Sequence, residues 1–361
     1  MDASYVLSAI FKEETMRKFK LLSLVLVLAL VMTSFAACGG GGDDAEYSAD
    51  NPLKLRLASD APTEHIATVL NEELCALIEE KTEGRIVVDY FGGGSLGDYN
   101  TVFNEVKLGT IDAAQITIPD ALDARLGAAY MPWYALSFDQ AKTLFGPESY
   151  MFEFFSEVVK TQDVEFLGFV LEGFIGMALV KNADDVFTPG TDKGIKIRVP
   201  GMNVFKDAQV NLGYNVAEIP YGEVTVAVQQ GRVDGWVGGT PNINYAWLGD
   251  TIKYMYINYA HAEATSYVLS DATLAKMTEE DQAIVKQCFL DQSAKSFDNA
   301  QDNEEVFKQK LTEGGVEVVE LTEAQLQTMA DFVRGETWTG LEESLGKDLV
   351  DKFREEVAQF E

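Results

Sequence analysis

Polar and apolar positions along this chain change period in a repeated order. Leu53-Lys54-Leu55-Arg56-Leu57-Ala58 alternates with the two-residue period of a strand that buries one face. From Ala67 to Lys81 the apolar residues Val69, Leu70, Leu74, Leu77 and Ile78 recur at helical spacing, and Gly84 stops the pattern. Ile86 to Phe91 predicts a second strand, Val102 to Leu108 a helix, and Ile111 to Ile116 a third strand. The glycine-rich run Phe91-Gly92-Gly93-Gly94-Ser95-Leu96-Gly97 reads as a turn, because a phosphate loop needs Lys and Ser/Thr at offsets where this run has neither. This β-α-β-α-β order predicts a mainly parallel sheet with helices on both faces.

Phe166 to Lys181 is mostly apolar, carries Gly168, Gly173 and Gly176, and reads as an extended strand leaving a first lobe. Val186 to Val233 repeats the strand-helix-strand scheme, and Asn258 to Ser270 is a strand that crosses back. Thr278 to Glu313 predicts one long helix and Thr322 to Glu361 more helix; apolar helix faces need partners, which places these segments against both lobes. Residues 53–361 are too many for one small core. The expected division is lobe I at 53–173 with 262–300 returning, and lobe II at 174–261 with the helical part 301–361. No internal sequence repeat accompanies this doubling.

The ends and the composition narrow the function. Met16-Arg17-Lys18-Phe19-Lys20 followed by the apolar run Leu21 to Met32 reads as a signal peptide within 1–37, with Met16 its expected start. Phe35-Ala36-Ala37-Cys38 reads as a lipoprotein cleavage site, making Cys38 the lipidated residue and 38–52 a flexible linker. The expected location is extracytoplasmic and lipid-anchored. With 28 Lys and Arg against 58 Asp and Glu, the net charge of −30 excludes binding to nucleic acid. Only His65 and His261 are present and no CxxC occurs, so neither a metal site nor a cofactor is expected. Cys75 and Cys288 are expected as buried free thiols, and His65 as a cap or lining residue of the first helix. No G-x-S-x-G or H-E-x-x-H occurs, and no nucleophile lies beside a base, so no enzyme activity is expected.

The chemistry concentrates between Gly194 and Gly235. Gly194-Ile195-Lys196-Ile197-Arg198-Val199-Pro200 reads as a short strand stopped by Pro200, with Arg198 near its end. A buried guanidinium needs an anion, and its planar fork matches a carboxylate with two parallel hydrogen bonds. The first expectation is therefore a pocket that holds an organic acid by its carboxylate.

Four motifs stand in order here: Gly84-Arg85-Ile86-Val87-Val88, Gly94-Ser95-Leu96-Gly97-Asp98, Gly109-Thr110-Ile111-Asp112, and the Arg198 strand with Gln229-Gln230-Gly231-Arg232-Val233-Asp234-Gly235. Together they resemble the solute-binding proteins of tripartite ATP-independent periplasmic (TRAP) transporters, the DctP-like family, through most of the mature chain. The resemblance implies an α/β, two-lobed, Venus-flytrap fold of the periplasmic-binding-protein kind, with crossing hinge strands and a long C-terminal helix packed on both lobes. It implies that Arg198 binds the ligand carboxylate, that Glu223 sits beside Arg198 and orients it, and that Tyr221 lies near the carboxylate. Glu223 also reads as the start of a helix Glu223 to Gln230, where a carboxylate favours the positive end of the helix dipole. Tyr221 reads equally as a core aromatic, and Asp234-Gly235 as turn chemistry rather than a ligand contact. The implied partners are a small organic acid and small and large membrane subunits, with the binding protein a monomer. An ATP-driven importer or a chemoreceptor or sensor system would use the same pocket with a different partner.

Departures from the family pattern bear on the ligand. Relatives carry a second arginine in a run like N-G-x-R, but here Glu172-Gly173-Phe174-Ile175 puts Ile175 at that place. After Asp234-Gly235 the usual Q-E-N-P is replaced by Trp236-Val237-Gly238-Gly239-Thr240-Pro241-Asn242. Trp236, Phe174 and Trp133 are expected as aromatic walls, and Gln115, Thr117 and Asn242 as partners for a hydroxyl, keto or amide group. Glu172 reads either as the partner of a ligand amine or as a solvent-facing residue. With one carboxylate anchor and no second donor cluster, the expected ligand is a monocarboxylate with an apolar or aromatic tail, and not a dicarboxylate.

Overall fold

A computed structural model describes residues 47–183 and 185–360. The signal segment, Cys38 and the linker up to residue 46 lie outside the described residues.

Nine strands form one sheet: β1 (Leu53–Ser59), β2 (Ile86–Phe91), β3 (Ala113–Ile116), β4 (Val164–Leu179), β5 (Lys196–Val199), β6 (Asn215–Glu218), β7 (Gly235–Gly239), β8 (Tyr254–Ser270) and β9 (Glu317–Glu320). Their order is β2-β1-β3-β8-β4-β7-β5-β6, with β9 added beside β8. The two flanks are parallel, β2-β1-β3 on one side and β7-β5-β6 on the other. The middle is antiparallel, where β4 and β8 run past each other and join the flanks. The expected mainly parallel sheet is thus corrected to a mixed one. A strand that carries the chain from one flank to the other must be matched by a strand that carries it back, and the two run in opposite directions.

β4 is buried along almost its whole length, which explains its unbroken apolar run. Its register against β8 shifts between Phe166 and Phe169, between Leu171 and Phe174, and between Ile175 and Met177, at the three glycines of the sequence pattern. Gly173 has φ +131, and a Cβ there would meet Glu304 Oε2 at 2.9 Å. The same Glu304 oxygen accepts the Phe174 N–H at 2.8 Å. Bulged, glycine-rich strands bend with little cost, so this stretch is the natural flexing point between the flanks.

The long helix Glu279–Glu313 bridges the sheet. Lys295 pairs with Glu73 of helix Ile66–Lys81 at 2.6 Å, and Phe307 packs on Tyr245 of helix Pro241–Leu248. The C-terminal helix Glu323–Leu345 also touches both sides. Trp338 Nε1 donates to Pro132 O at 2.8 Å, and Thr337 Oγ1 accepts from Asn211 at 3.0 Å. Gly346, at φ 94, breaks this segment from the last helix, Lys347–Ala358. The polar and apolar pattern did not predict several elements, among them helices Phe138–Phe145, Tyr150–Lys160 and Pro241–Leu248. Each is short, and an apolar run of that length does not distinguish helix from strand.

Cys75 and Cys288 are both free thiols; Cys288 is buried and Cys75 only partly so. Asp281 ties Tyr47 and Arg85 to the long helix. It accepts from Arg85 Nη2 at 2.6 Å and from Tyr47 Oη at 2.7 Å. Burial opposes its ionisation, but these bonds outweigh it and hold the carboxyl below its ordinary 3.8. A carboxylate with a depressed folded pKa stabilises above the unfolded value and loses that effect as pH falls through the folded one. Asp281→Asn is expected to lower stability by about 1–3 kcal/mol at neutral pH, with the gap to wild type closing as the pH is taken below the ordinary carboxylate range. Denaturant titrations at several pH values check this, and a gap that persists at low pH contradicts it.

Candidate ligand-binding site

Parallel strands expose their carboxyl ends on one side, and open α/β sheets bind ligands there. In this sheet Asp60 follows β1, Thr117 follows β3, and Arg198 lies one residue before the end of β5. They surround a cavity of about 50 Å³ with Tyr99, Tyr130 and Tyr221, and with Glu172 of β4 and Glu263 of β8. Pro200, Met202, Phe205 and Ile243 complete the wall with apolar surface.

Arg198 is 1% exposed. Its Nε donates to Ile219 O at 2.8 Å, which fixes the plane of the guanidinium. Its Cζ lies 6.0 Å from the Tyr221 ring centre and 5.7 Å from that of Trp236, so the cation is flanked by π faces. Trp236 is itself held by Nε1 donating to Asn244 Oδ1 at 2.8 Å. Gly238 is required beside it, because at φ +135 a Cβ would come within 2.8 Å of Arg198 Nη1. Nη1 is buried and has no hydrogen-bond partner among the described residues. Burial lowers the guanidinium pKa to about 10, so it remains a cation at neutral pH. The site thus has in its wall a buried arginine with an unpartnered donor.

The opposite wall is acidic. Glu172 Oε1 accepts from Gln115 Nε2 at 2.7 Å and from Thr265 Oγ1 at 2.8 Å. Gln115 is oriented in turn by Ser59 Oγ, which donates to its Oε1 at 2.7 Å. His65 caps helix Ile66–Lys81 by accepting the Ala67 N–H on Nδ1 at 3.2 Å, which leaves the proton on Nε2. That Nε2 lies 3.4 Å from Glu172 Oε2, too poorly aligned for a hydrogen bond, and burial lowers the imidazole pKa to about 3. His65 is therefore neutral and does not balance the acid. Glu263 Oε1 accepts from Tyr130 Oη at 2.9 Å, and Tyr130 Oη is 2.7 Å from Thr117 Oγ1. Burial raises Glu172 to about 8 and Asp60 to about 6, and pushes Glu263 well above its ordinary range.

With this geometry in place, the comparison with known proteins decides the family. Residues 57–337 match the bacterial extracellular solute-binding proteins, family 7, DctP. The chain belongs to that family. A solute-binding protein of Roseobacter denitrificans is 28% identical over 250 residues, covering 67% of this chain and 73% of its own. An uncharacterized protein of Sinorhizobium fredii is 27% identical over 236 residues, 64% of this chain, but the match spans only 42% of that protein. A TRAP periplasmic solute-binding protein of Haemophilus influenzae with bound L-gulonate superposes with TM-score 0.75 at 21% identity, covering 84% of this chain and 99% of that one. One from Desulfovibrio salexigens with bound orotic acid gives TM-score 0.75 at 16% identity, covering 85% and 99%. The fold is the two-lobed one of these TRAP binding proteins.

A family 7 chain is a binding protein and not an enzyme, and it acts outside the cytoplasm. Among the described residues no helix is long and apolar enough to cross a membrane, and no cluster of His, Cys, Asp and Glu is arranged to hold a metal. The structure brings Arg198, Tyr221 and Thr117 of the expected set into the cavity wall. Trp236 and Gln115 stand one layer behind, under Arg198 and under Glu172. Glu223 does not sit beside Arg198; it is exposed and 3.4 Å from Arg232, and a carbonyl, Ile219 O, does the orienting. Phe174, Ile175 and Trp133 are core rather than wall: Phe174 stacks on Tyr259, Ile175 is fully buried, and Trp133 N donates to Ala260 O. Asn242 lines a separate surface groove with Tyr245 and Phe307. The acids Asp60 and Glu263 went unread in the sequence. A charge in the apolar alternation of β8, and an Asp just past the end of β1, were the available signals.

Proposed function

We propose that this chain captures a small organic acid by one carboxylate on Arg198 and delivers it to the small and large membrane subunits of a TRAP transporter. In this reading residues 53–173 with 262–300, and 174–261 with 301–361, are the two lobes. They close on the ligand by bending at β4 and β8. The monomeric carrier is tethered through lipid on Cys38. The single observation that carries it is the buried, unpartnered Nη1 of Arg198, a residue of the cavity wall. A carboxylate there would satisfy that donor, and exclusion of water would strengthen the pair. Relatives holding L-gulonate and orotic acid support an acid with a single carboxylate. A dicarboxylate would need a second basic cluster, whereas the far wall bears Asp60, Glu172 and Glu263.

Thermal unfolding of the full chain against a panel of mono- and dicarboxylates tests this. A ligand at 100 times its dissociation constant stabilises the folded state by about 2.7 kcal/mol, so an upward shift with monocarboxylates is expected. Tighter binding of succinate or malate than of any monocarboxylate would overturn the single-anchor reading.

A further inference from the structure

We infer that the ligand is a zwitterion, a small aminocarboxylate whose carboxylate sits on Arg198 and whose cationic nitrogen sits among Asp60, Glu172 and Glu263. The inference rests on the reading of Arg198 as a carboxylate anchor and replaces the apolar tail with a positive one. Three acidic side chains and one basic one line the same cavity. A plain carboxylate would pair with Arg198 but bring no cation to the three acids, each of which is then either ionised without a partner or held neutral by a proton. An aminocarboxylate supplies both missing partners at once.

The one cation of the cavity wall among the described residues is Arg198, and it forms no ion pair with any of the three acids. Among the described residues neither Asp60 nor Glu263 has a Lys, Arg or His within ion-pair distance, and the one basic neighbour of Glu172 is neutral His65 at 3.4 Å. Their other neighbours are neutral donors: Gln115 and Thr265 on Glu172, and Tyr130 on Glu263. The acids also arrive from three strands, at the end of β1, on β4 and on β8, while Arg198 comes from β5 on the other flank. Oppositely charged ends of one small molecule would therefore bridge the two flanks. Burial favours the protonated forms of Glu172 and Glu263, and an arriving cation would favour their ionised forms.

The test uses matched probes on the full chain. The standard amino acids and 4-aminobutanoate are each compared with the acid lacking the amine, such as L-proline with cyclopentanecarboxylate, and with the amine lacking the carboxylate. At least one aminocarboxylate is expected to bind about 30-fold or more tightly than its amine-free partner, the scale of losing one member of a buried charge pair. Glu263→Gln and Glu172→Gln, both isosteric, are expected to erase that preference, bringing the aminocarboxylate down to the affinity each variant shows for its amine-free partner. If either variant fails to fold, the other variant and the wild-type probe pairs still decide. Amine-free acids binding as tightly as their amino partners, with Arg198→Ala abolishing both, would sink the zwitterion and leave the carboxylate anchor standing. Carboxylate-free amines binding undiminished to Arg198→Ala would sink the anchor itself.

Discussion

Arg198→Ala is expected to lower ligand affinity by about 2–5 kcal/mol, which is roughly 30- to several thousand-fold. The substitution removes the unpaired Nη1 of this cavity-wall arginine and the Nε that bonds Ile219 O at 2.8 Å. Its effect on the empty protein is expected to be far smaller. One carbonyl loses a partner, but a desolvated cation with no counter-ion is removed as well, and these changes oppose each other. Arg198→Lys separates charge from shape. A lysine keeps the positive charge but lacks the fork and the flat face that lies against Trp236, so partial recovery at most is expected. Calorimetric titration of wild type and both variants, beside their unfolding midpoints without ligand, measures the contrast. Equal affinity in wild type and Arg198→Ala would make the arginine a purely structural residue.

Gly235→Ala is expected to be the most damaging small substitution in the binding motif, costing more than about 3 kcal/mol. Gly235 opens β7, which is wedged between β4 and β5, and an added Cβ would stand 2.0 Å from Ala178 O and 2.9 Å from Leu179 Cα. Both contacts are backbone of a central strand, so no side chain can swing aside. The neighbouring Asp234 explains the rest of the motif: its carboxylate accepts the Lys196 N–H at 2.9 Å and pairs with Lys181 at 3.0 Å. The Asp-Gly pair therefore ties β7 to its neighbours and sets the register that places Trp236 opposite Arg198. Gly340→Ala, in the exposed face of helix Glu323–Leu345 with nothing within 4 Å of the added atom, is the control. It is expected to stabilise by up to about 1 kcal/mol. Urea unfolding of both variants checks the pair, and a Gly235→Ala midpoint at the wild-type value would contradict the packing argument.

The sequence was most legible where one rule dominates. Alternation and helical spacing located β1, the helix after it, β2 and the two crossing strands to within a few residues, because each buries a continuous apolar face. The antiparallel centre was not legible, since strand direction depends on how distant segments pair and leaves no local mark. Arg198 could be read because a charge in an apolar strand demands a partner. Glu263 carries the same signal on β8, between Ala262 and Ala264, yet its meaning appears only when β8 is seen to pass beside the carboxyl end of β3. Trp133, Phe174 and Ile175 show the opposite limit. Large apolar residues near a motif are as useful to a core as to a pocket, and here the core holds all three. Glu223 was misplaced for a related reason: it lies close to Arg198 in the pattern, but the turn Tyr221–Glu223 points it toward Arg232.

The most direct measurement is a crystal structure of the protein with an acid selected by the unfolding panel. The expected result is one carboxylate of the ligand within about 3 Å of Arg198 Nη1, enclosed by Thr117, Tyr130 and Tyr221. An acid bound in this cavity with its carboxylate turned away from Arg198, or bound only in the surface groove beside Tyr245, would contradict the carboxylate anchor.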